Sequence, residues 1–288
     1  MAKTKVHTSK TQESLTNVST GGFQISAAKG LFILMKLSSR LRAIAQQVPQ
    51  GARVVDVGTD HALLPIFLIQ QGQAGMAVAT DVAVGPYHAA LDNVQRNELT
   101  NQISVRLGNG LSSVAPGEVD VVVIAGMGGS LETEILRQAP MVMERVKRII
   151  LQPMNAADRV RRFLHENGLS LVQEQVIHED KHFYDILTAE KRETQIDYYK
   201  PFSTSEALLQ LAYQLGPINL QHPTRDFVLY AANLLEHWRT VLLNLQQSQQ
   251  LSVNQKASQL EEQINLLSNW FESHQVREGG DAVSQDYL

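Results

Sequence analysis

Residues 54–65 read VVDVGTDHALLP. An apolar run ends at Asp56, passes through Gly58, presents Thr59-Asp60-His61 and gives way to a second apolar run from Ala62. A short β-branched run closed by a glycine is the mark of a buried strand, and the run after it suits a helix. A strand that delivers two acids and a histidine to a helix start is either a capping turn or a ligand site. The rest of the chain decides which.

Upstream, KLSSRLRAIAQQVP (36–49) sets Leu37, Leu41, Ile44, Ala45 and Val48 on one helical face, and Pro49 closes the helix. Downstream, HALLPIFLIQQG is a helix ending at Gly72, GMAVATDV a second strand and GPYHAALDNVQRNEL a helix. ISVRLGNG is a third strand, and VDVVVIAGMGG a fourth with a glycine-rich exit. LETEILRQAP is helical, RIILQPM is a fifth strand, and AADRVRRFLHENG is a helix stopped by Gly168. LSLVQEQVIHED and FYDILTAEK follow with only a short KHF link, so they form a hairpin that sets one strand antiparallel. Such alternation implies an α/β fold with a mostly parallel sheet covered on both faces. Five parallel-type units ending in a hairpin match a Rossmann-like class I methyltransferase sheet better than a dinucleotide-dehydrogenase sheet.

From about residue 196 the pattern changes. A linker and a short helix stopped by Gly216-Pro217 precede two long helical repeats. Val228, Ala231, Leu235, Trp238, Leu242 and Leu245 recur at spacings of three and four, as do Val253, Ala257, Leu260, Ile264, Leu267 and Phe271. They read as an antiparallel helical hairpin of coiled-coil type whose stripe is packing. The expected organisation is a disordered leader over 1–34, an α/β domain over 35–195, a helical coiled-coil domain over 196–276 and a flexible tail over 277–288. The leader is Ser/Thr/Lys-rich without periodicity. It reads as dispensable, and Met35 offers an alternative start.

A chain of 288 residues suits one sizeable core plus a smaller unit. It has no cysteine, which excludes disulfides, thiolate metal sites and thiol nucleophiles and leans towards the cytoplasm. No apolar stretch approaches the ~20 residues of a membrane span. No metal site is expected, and a monomer is compatible with the sequence, which does not fix the oligomeric state. The net charge of -4 does not by itself suggest a nucleic-acid partner, but residues 1–42 hold seven Lys/Arg and one acid, Glu13. A second basic concentration gathers Arg145, Lys147, Arg148, Arg159, Arg161 and Arg162. Local patches, rather than net charge, bind phosphates.

In an open parallel sheet, ligands bind at the carboxyl ends of the strands. The polar residues cluster there: Asp56 to His61, Asp81, Asn109, Ala125 to Gly129, and Gln152 to Asn155. The dinucleotide fingerprint is missing, because Asp60 and Leu63 stand where its second and third glycines belong. Asp60 repels a pyrophosphate. S-adenosylmethionine carries a sulfonium and an ammonium in place of phosphate, and acids suit it. Asp81 is placed to accept ribose hydroxyls. Asn109 either meets an adenine edge or is a plain Asn-Gly turn with Gly110. His61 is either a site residue or a helix-start residue, and Gly126, Gly128 and Gly129 serve either ligand approach or turn geometry.

The set KLSSRLRAIA, VDVGTDHALLP, GNGL, IAGMGG and LQPM, in order, resembles the TrmK family of bacterial tRNA adenine-N1 methyltransferases, which act on adenine 22. The resemblance covers about residues 35–272. It implies a domain that uses S-adenosylmethionine and a helical domain that helps hold tRNA. On this sequence it places Asp56, Gly58 and His61 along the methionine part of the cofactor, Asp81 at the ribose, Asn109-Gly110 near the adenine and Gly126-Met127 beside the cofactor. Gln152 and Pro153 fall where related enzymes hold the target base. Two positions depart from the family: Leu63 where Tyr is common and Asn109 where Asp is common.

The chemistry implied makes modest demands. Adenine N1 already has a lone pair, so alignment with the methyl matters more than a base. Asp60 is the candidate to stabilise positive charge on the methylated ring. N1 lies on the Watson–Crick edge, so the adenine must be unpaired or flipped. Phosphate contacts are expected from Lys36, Arg40, Arg42, Arg159 and Arg162. The alternatives are a class I methyltransferase acting on another RNA or a protein, and a non-catalytic RNA-binding protein that retained the fold. A nicotinamide oxidoreductase is disfavoured by the missing glycines.

Overall fold

Val54, Val55 and Val57, and Val121 through Ile124, are all buried, as strands covered by helices on both faces require. They form the centre of the fold in a computed structural model that describes residues 23–25, 33–35, 37–192, 196–247 and 251–274, with backbone alone for 23–25, 33–35 and 251–253. The chain divides into two compact units, Met1–Lys36 and Leu37–Leu288. In the first, strands β1 (Phe23–Ile25) and β2 (Ile33–Met35) pair antiparallel, with Phe23 opposite Met35. These strands lie largely within the segment expected to be a disordered leader, and β2 comes from its LFILM run. The remaining leader residues, Lys36 and the tail after 274 lie outside the described residues.

The second unit begins with α1 (Ser39–Gln46), whose first turn is capped by the Ser38 hydroxyl accepting from the Leu41 amide. There follow β3 (Ala52–Val57), α2 (Leu63–Gln70), β4 (Ala74–Asp81), α3 (Val84–Arg96), β5 (Ile103–Leu107), β6 (Val121–Gly128) and α4 (Gly129–Arg137). Next come α5 (Pro140–Arg145), β7 (Arg148–Asn155), α6 (Ala157–Glu166), β8 (Ser170–Glu179) and β9 (His182–Glu190). The sheet order is β5-β4-β3-β6-β7-β9-β8. Five strands run parallel, and β9 lies antiparallel to both β7 and β8. The β8–β9 turn is Asp180-Lys181, both at positive φ, one residue earlier than the KHF link of the sequence reading. The chain winds outward from β3 to β5 and then returns to place β6 on β3's other side. This reversal opens the crevice at the carboxyl ends of β3 and β6, where open α/β sheets hold ligands.

The C-terminal helices are α7 (Glu206–Leu215), α8 (Pro217–Gln221), α9 (Arg225–Gln246) and α10 (Leu251–Ser273). Gly216 turns the chain between α7 and α8 at φ +95°, and a Cβ there would stand 2.6 Å from the Glu174 carboxylate. Helices α9 and α10 pack on each other, and α10 packs on α7. The stripe is buried at Val228, Ala231, Leu235 and Trp238 and at Ile264, Leu267 and Phe271. Leu242, Leu245, Ala257 and Leu260, nearer the α9–α10 connection, are only half-buried. The buried end shares its core with Val176 of β8 and with Tyr199.

An ion network joins these helices to the sheet. Arg161 of α6 is fully buried, with Nε donating to Glu174 at 2.6 Å and Nη2 to Asp185 at 2.5 Å. Its Nη1 donates to the Tyr213 and Gln214 carbonyls that end α7, and Glu174 also accepts the Ile218 amide of α8. Among the described residues, no helix is long and apolar enough to cross a membrane, and no His/Cys/Asp/Glu group is placed to hold a metal ion.

Candidate active site

The exits of β3, β4 and β5 are stitched together through Thr80. Its carbonyl accepts the Gly58 and Thr59 amides at 2.8 and 3.0 Å, and its hydroxyl donates to the Gly110 carbonyl at 3.2 Å. Gly58 has φ +72°, the left-handed conformation that favours glycine, and a Cβ on it would meet the terminal methyl of Met127 at 2.1 Å, so the β3 exit lies against the Met127 side chain of the β6 exit. Asp60 and Ala62 both hold positive φ, an uncommon conformation for non-glycine residues and costly enough to mark a constrained turn.

This turn gathers three acids. Asp56 is buried at the end of β3, where its carboxylate accepts the Thr59 hydroxyl at 2.6 Å. Burial pushes its pKa up to about 6; the Thr59 hydrogen bond opposes the rise, and the Asp81 charge adds to it. Asp81, at the end of β4, accepts the Ala83 amide at 2.8 Å and, more weakly, the Asp60 amide at 3.4 Å. The Asp60 side chain is exposed, with His61 Nε2 at 3.6 Å. Among the described residues, no lysine or arginine pairs with Asp56, Asp60 or Asp81. Apolar surface flanks Asp81: Val82 is 70% exposed, and Leu107, its partner in the β4–β5 register, is 50% exposed. The sequence reading did not single out either residue; an apolar residue directly after the strand-end acid is the signal available for Val82. Asn109 is exposed beside them, with its carbonyl accepting the Ser112 amide, and Gly110 packs against Ile135.

Across Gly126 and Met127 the site changes character. Gln152, in the second half of β7, is fully buried; its Oε1 accepts from Arg40 Nη1, and its Nε2 donates to the Pro153 carbonyl at 3.1 Å. Arg40 also lies over the Tyr184 ring at 5.2 Å, and its amide donates to Glu179 at 2.6 Å. Gly126, at φ +78°, has Arg40 Nη1 3.6 Å from the position of an added Cβ. One half of the edge therefore presents carboxylates, and the other an amide held by a guanidinium.

The expected phosphate-binding residues are scattered. Arg40 belongs to the amide half, Arg42 is exposed on α1, and Lys36 lies outside the described residues. Arg159 is exposed and donates to Ser130 Oγ at 3.0 Å. Arg162 turns the other way, stacking on Tyr213 at 4.3 Å and donating to Gln210 at 2.8 Å. Arg159 and Arg162, three positions apart on α6, thus send their guanidinium groups to different neighbours.

The donor set fits S-adenosylmethionine. Acids with no lysine or arginine partner among the described residues suit its two cationic groups, Asp81 has acceptor capacity for a diol, and the apolar surface at Val82 and Leu107 suits a flat ring. Residues 37–187 match the family model described as a methyltransferase domain. The tRNA (adenine(22)-N(1))-methyltransferase of Bacillus subtilis is 32% identical over 81% of this chain and 96% of its own length. The crystal structure of the B. subtilis M1A22 tRNA methyltransferase TrmK superposes with a TM-score of 0.73 at 30% identity, covering 82% of this chain and 98% of that one. Streptococcus pneumoniae Sp1610, a putative tRNA (m1A22) methyltransferase solved in complex with S-adenosyl-L-methionine, gives a TM-score of 0.66 at 33% identity, covering 81% of this chain and 99% of that one. Sharing its sheet and most of its length with these proteins, the chain belongs to the family of tRNA (adenine(22)-N(1))-methyltransferases.

Proposed function

We infer that the chain methylates N1 of adenine 22 in tRNA, with S-adenosylmethionine as methyl donor and the cytoplasm as its place of work. The observation that carries this reading is the division of the sheet edge: acids with no lysine or arginine partner among the described residues on one side of Gly126-Met127, and a buried amide on the other.

In this reading, Asp81 holds the ribose hydroxyls, and Val82, Leu107 and Asn109-Gly110 border the adenine of the cofactor. Asp56, Gly58 and His61 line its methionine end, and Met127 packs between the halves. S-adenosylmethionine, when bound, supplies an electrophilic methyl on a sulfonium. Gln152 and Pro153 border the target adenine, and Arg40 fixes the Gln152 amide so that it does not rotate. The ring nitrogen attacks with its own lone pair, so no residue needs to remove a proton first. The enzyme's contribution is alignment. As the ring gains positive charge, the exposed Asp60 carboxylate stabilises it. Of the described residues expected to contact phosphates, Arg42 and Arg159 are the exposed ones and are left to do so.

Incubation with an unmodified tRNA transcript and methyl-labelled S-adenosylmethionine tests the reading. All label is expected in 1-methyladenosine at position 22. Label in another nucleoside, or none, overturns it.

A further inference from the structure

A cavity of about 410 Å³ opens where the β7 exit meets the C-terminal helices. Its walls include Pro153 and Asn155 from the exit, Phe183 of β9, Gln214 of α7, and Tyr230 and Trp238 of α9. Its volume falls in the range of small-ligand pockets, about 300–1,000 Å³. It adjoins the active site, because the Asn155 amide abuts Gly128, whose added Cβ would lie 3.2 Å from Asn155 Oδ1.

The lining chemistry narrows the occupant. Phe183 and Tyr230 stand 5.6 Å apart at an interplanar angle of 47°, forming a bent aromatic wall. Gln214 Oε1 is shielded from solvent and has no hydrogen-bond partner among the described residues. Asp158 and Asp185 add acceptors, and Asp185 is already tied to Arg161. The lining holds no lysine or arginine, which argues against a phosphate. An aromatic, acceptor-rich box beside the base side of the site suits a neutral flat ring that offers N–H donors. Exposing the Watson–Crick edge of one adenine also strips its neighbour of a stacking partner, and aromatic side chains replace that loss.

We propose that this cavity is a second nucleobase subsite, taking an amino-bearing base from a nucleotide next to the methylated adenine. The proposal rests on the tRNA-methyltransferase reading. Phe183 and Tyr230 stack the ring, and the Gln214 side chain turns into the cavity so that its unmet carbonyl oxygen accepts from the exocyclic amine.

The test uses the full-length protein and three tRNA transcripts: intact, abasic on the 5′ side of adenine 22, and abasic on the 3′ side. Methyl transfer is measured for wild type, Tyr230→Leu, Tyr230→Phe and Gln214→Ala, together with S-adenosylmethionine affinity. One abasic transcript should lower wild-type kcat/KM by roughly tenfold, the scale of one base stacked on an aromatic. Tyr230→Leu should lose a similar factor on intact tRNA and little more on that abasic transcript, whereas Tyr230→Phe keeps wild-type behaviour. Gln214→Ala, which removes no packed ring, should show the same non-additivity with cofactor affinity unchanged. Additive losses, or indifference of the wild type to both abasic sites, overturn the subsite while leaving the methyltransferase standing. A wild type that methylates no intact transcript overturns the functional reading and the subsite with it.

Discussion

Acids do opposite work in two regions of this molecule. At the junction of sheet and C-terminal helices, Glu174 and Asp185 surround Arg161, and every nitrogen of that buried guanidinium is hydrogen-bonded. At the open sheet edge, Asp56, Asp60 and Asp81 meet no lysine or arginine among the described residues. Complete pairing makes the junction a fixed scaffold, because Arg161 and Glu174, if left unpaired, have no water to turn to. The lack of lysine and arginine partners leaves the edge able to meet a cationic ligand.

The largest expected effect comes from breaking the junction. Arg161→Met strands the buried Glu174 carboxylate and frees the partly buried Asp185, and should cost about 3–5 kcal/mol of stability, read as a lowered urea midpoint. Arg161→Lys should restore little of this, since an ammonium cannot reproduce the fork that reaches both acids and the α7 carbonyls. A midpoint within error of wild type would show that the junction is not a scaffold.

Glu132 supplies an intermediate case: a carboxyl in neither class. It is fully buried in α4, with neither oxygen hydrogen-bonded among the described residues, and burial pushes its pKa up to about 9. The folded protein therefore keeps a proton that the unfolded chain gives up near its ordinary value of 4.5. Folding stability should fall as pH rises from there towards 9, with about 3 kcal/mol lost by pH 7 through this group alone. Glu132→Leu should remove that slope, as measured by urea unfolding at pH 5, 7 and 9.

The smallest effect separates two neighbouring arginines. Arg159→Ala should flatten the salt dependence of tRNA binding by roughly 0.9 in log–log slope, as one lost phosphate contact does. Arg162→Ala should leave that slope alone and cost about 1 kcal/mol of stability through its lost stacking on Tyr213. Equal slopes for wild type and Arg159→Ala would remove Arg159 from the RNA surface.

The contrast between edge and junction was only half legible in the sequence. Central strands such as Val121–Ile124 are continuous apolar runs, so the sheet and its carboxyl edge stand out, and the acids that interrupt those runs mark the site. Arg161 does not stand out, because three arginines in ADRVRRFLHE look alike until Glu174, Asp185 and the end of α7 are brought to one of them. The Arg40–Gln152 bond is hidden for the same reason, since it joins residues 112 positions apart. Helix α5 is six residues, PMVMER, too short to show a period. Local patterns report elements and exits; pairing between distant charges emerges only from the packed chain.

The central claim, that the edge acids serve a ligand and the junction acids serve the fold, meets its most direct test at Asp81. Asp81→Asn keeps an oxygen for the Ala83 amide but loses the charge and one acceptor. Calorimetric titration of this variant with S-adenosylmethionine, beside its urea unfolding curve, should show affinity lowered by roughly tenfold with the unfolding midpoint unchanged. Wild-type affinity, or a midpoint that falls while affinity holds, would contradict the account.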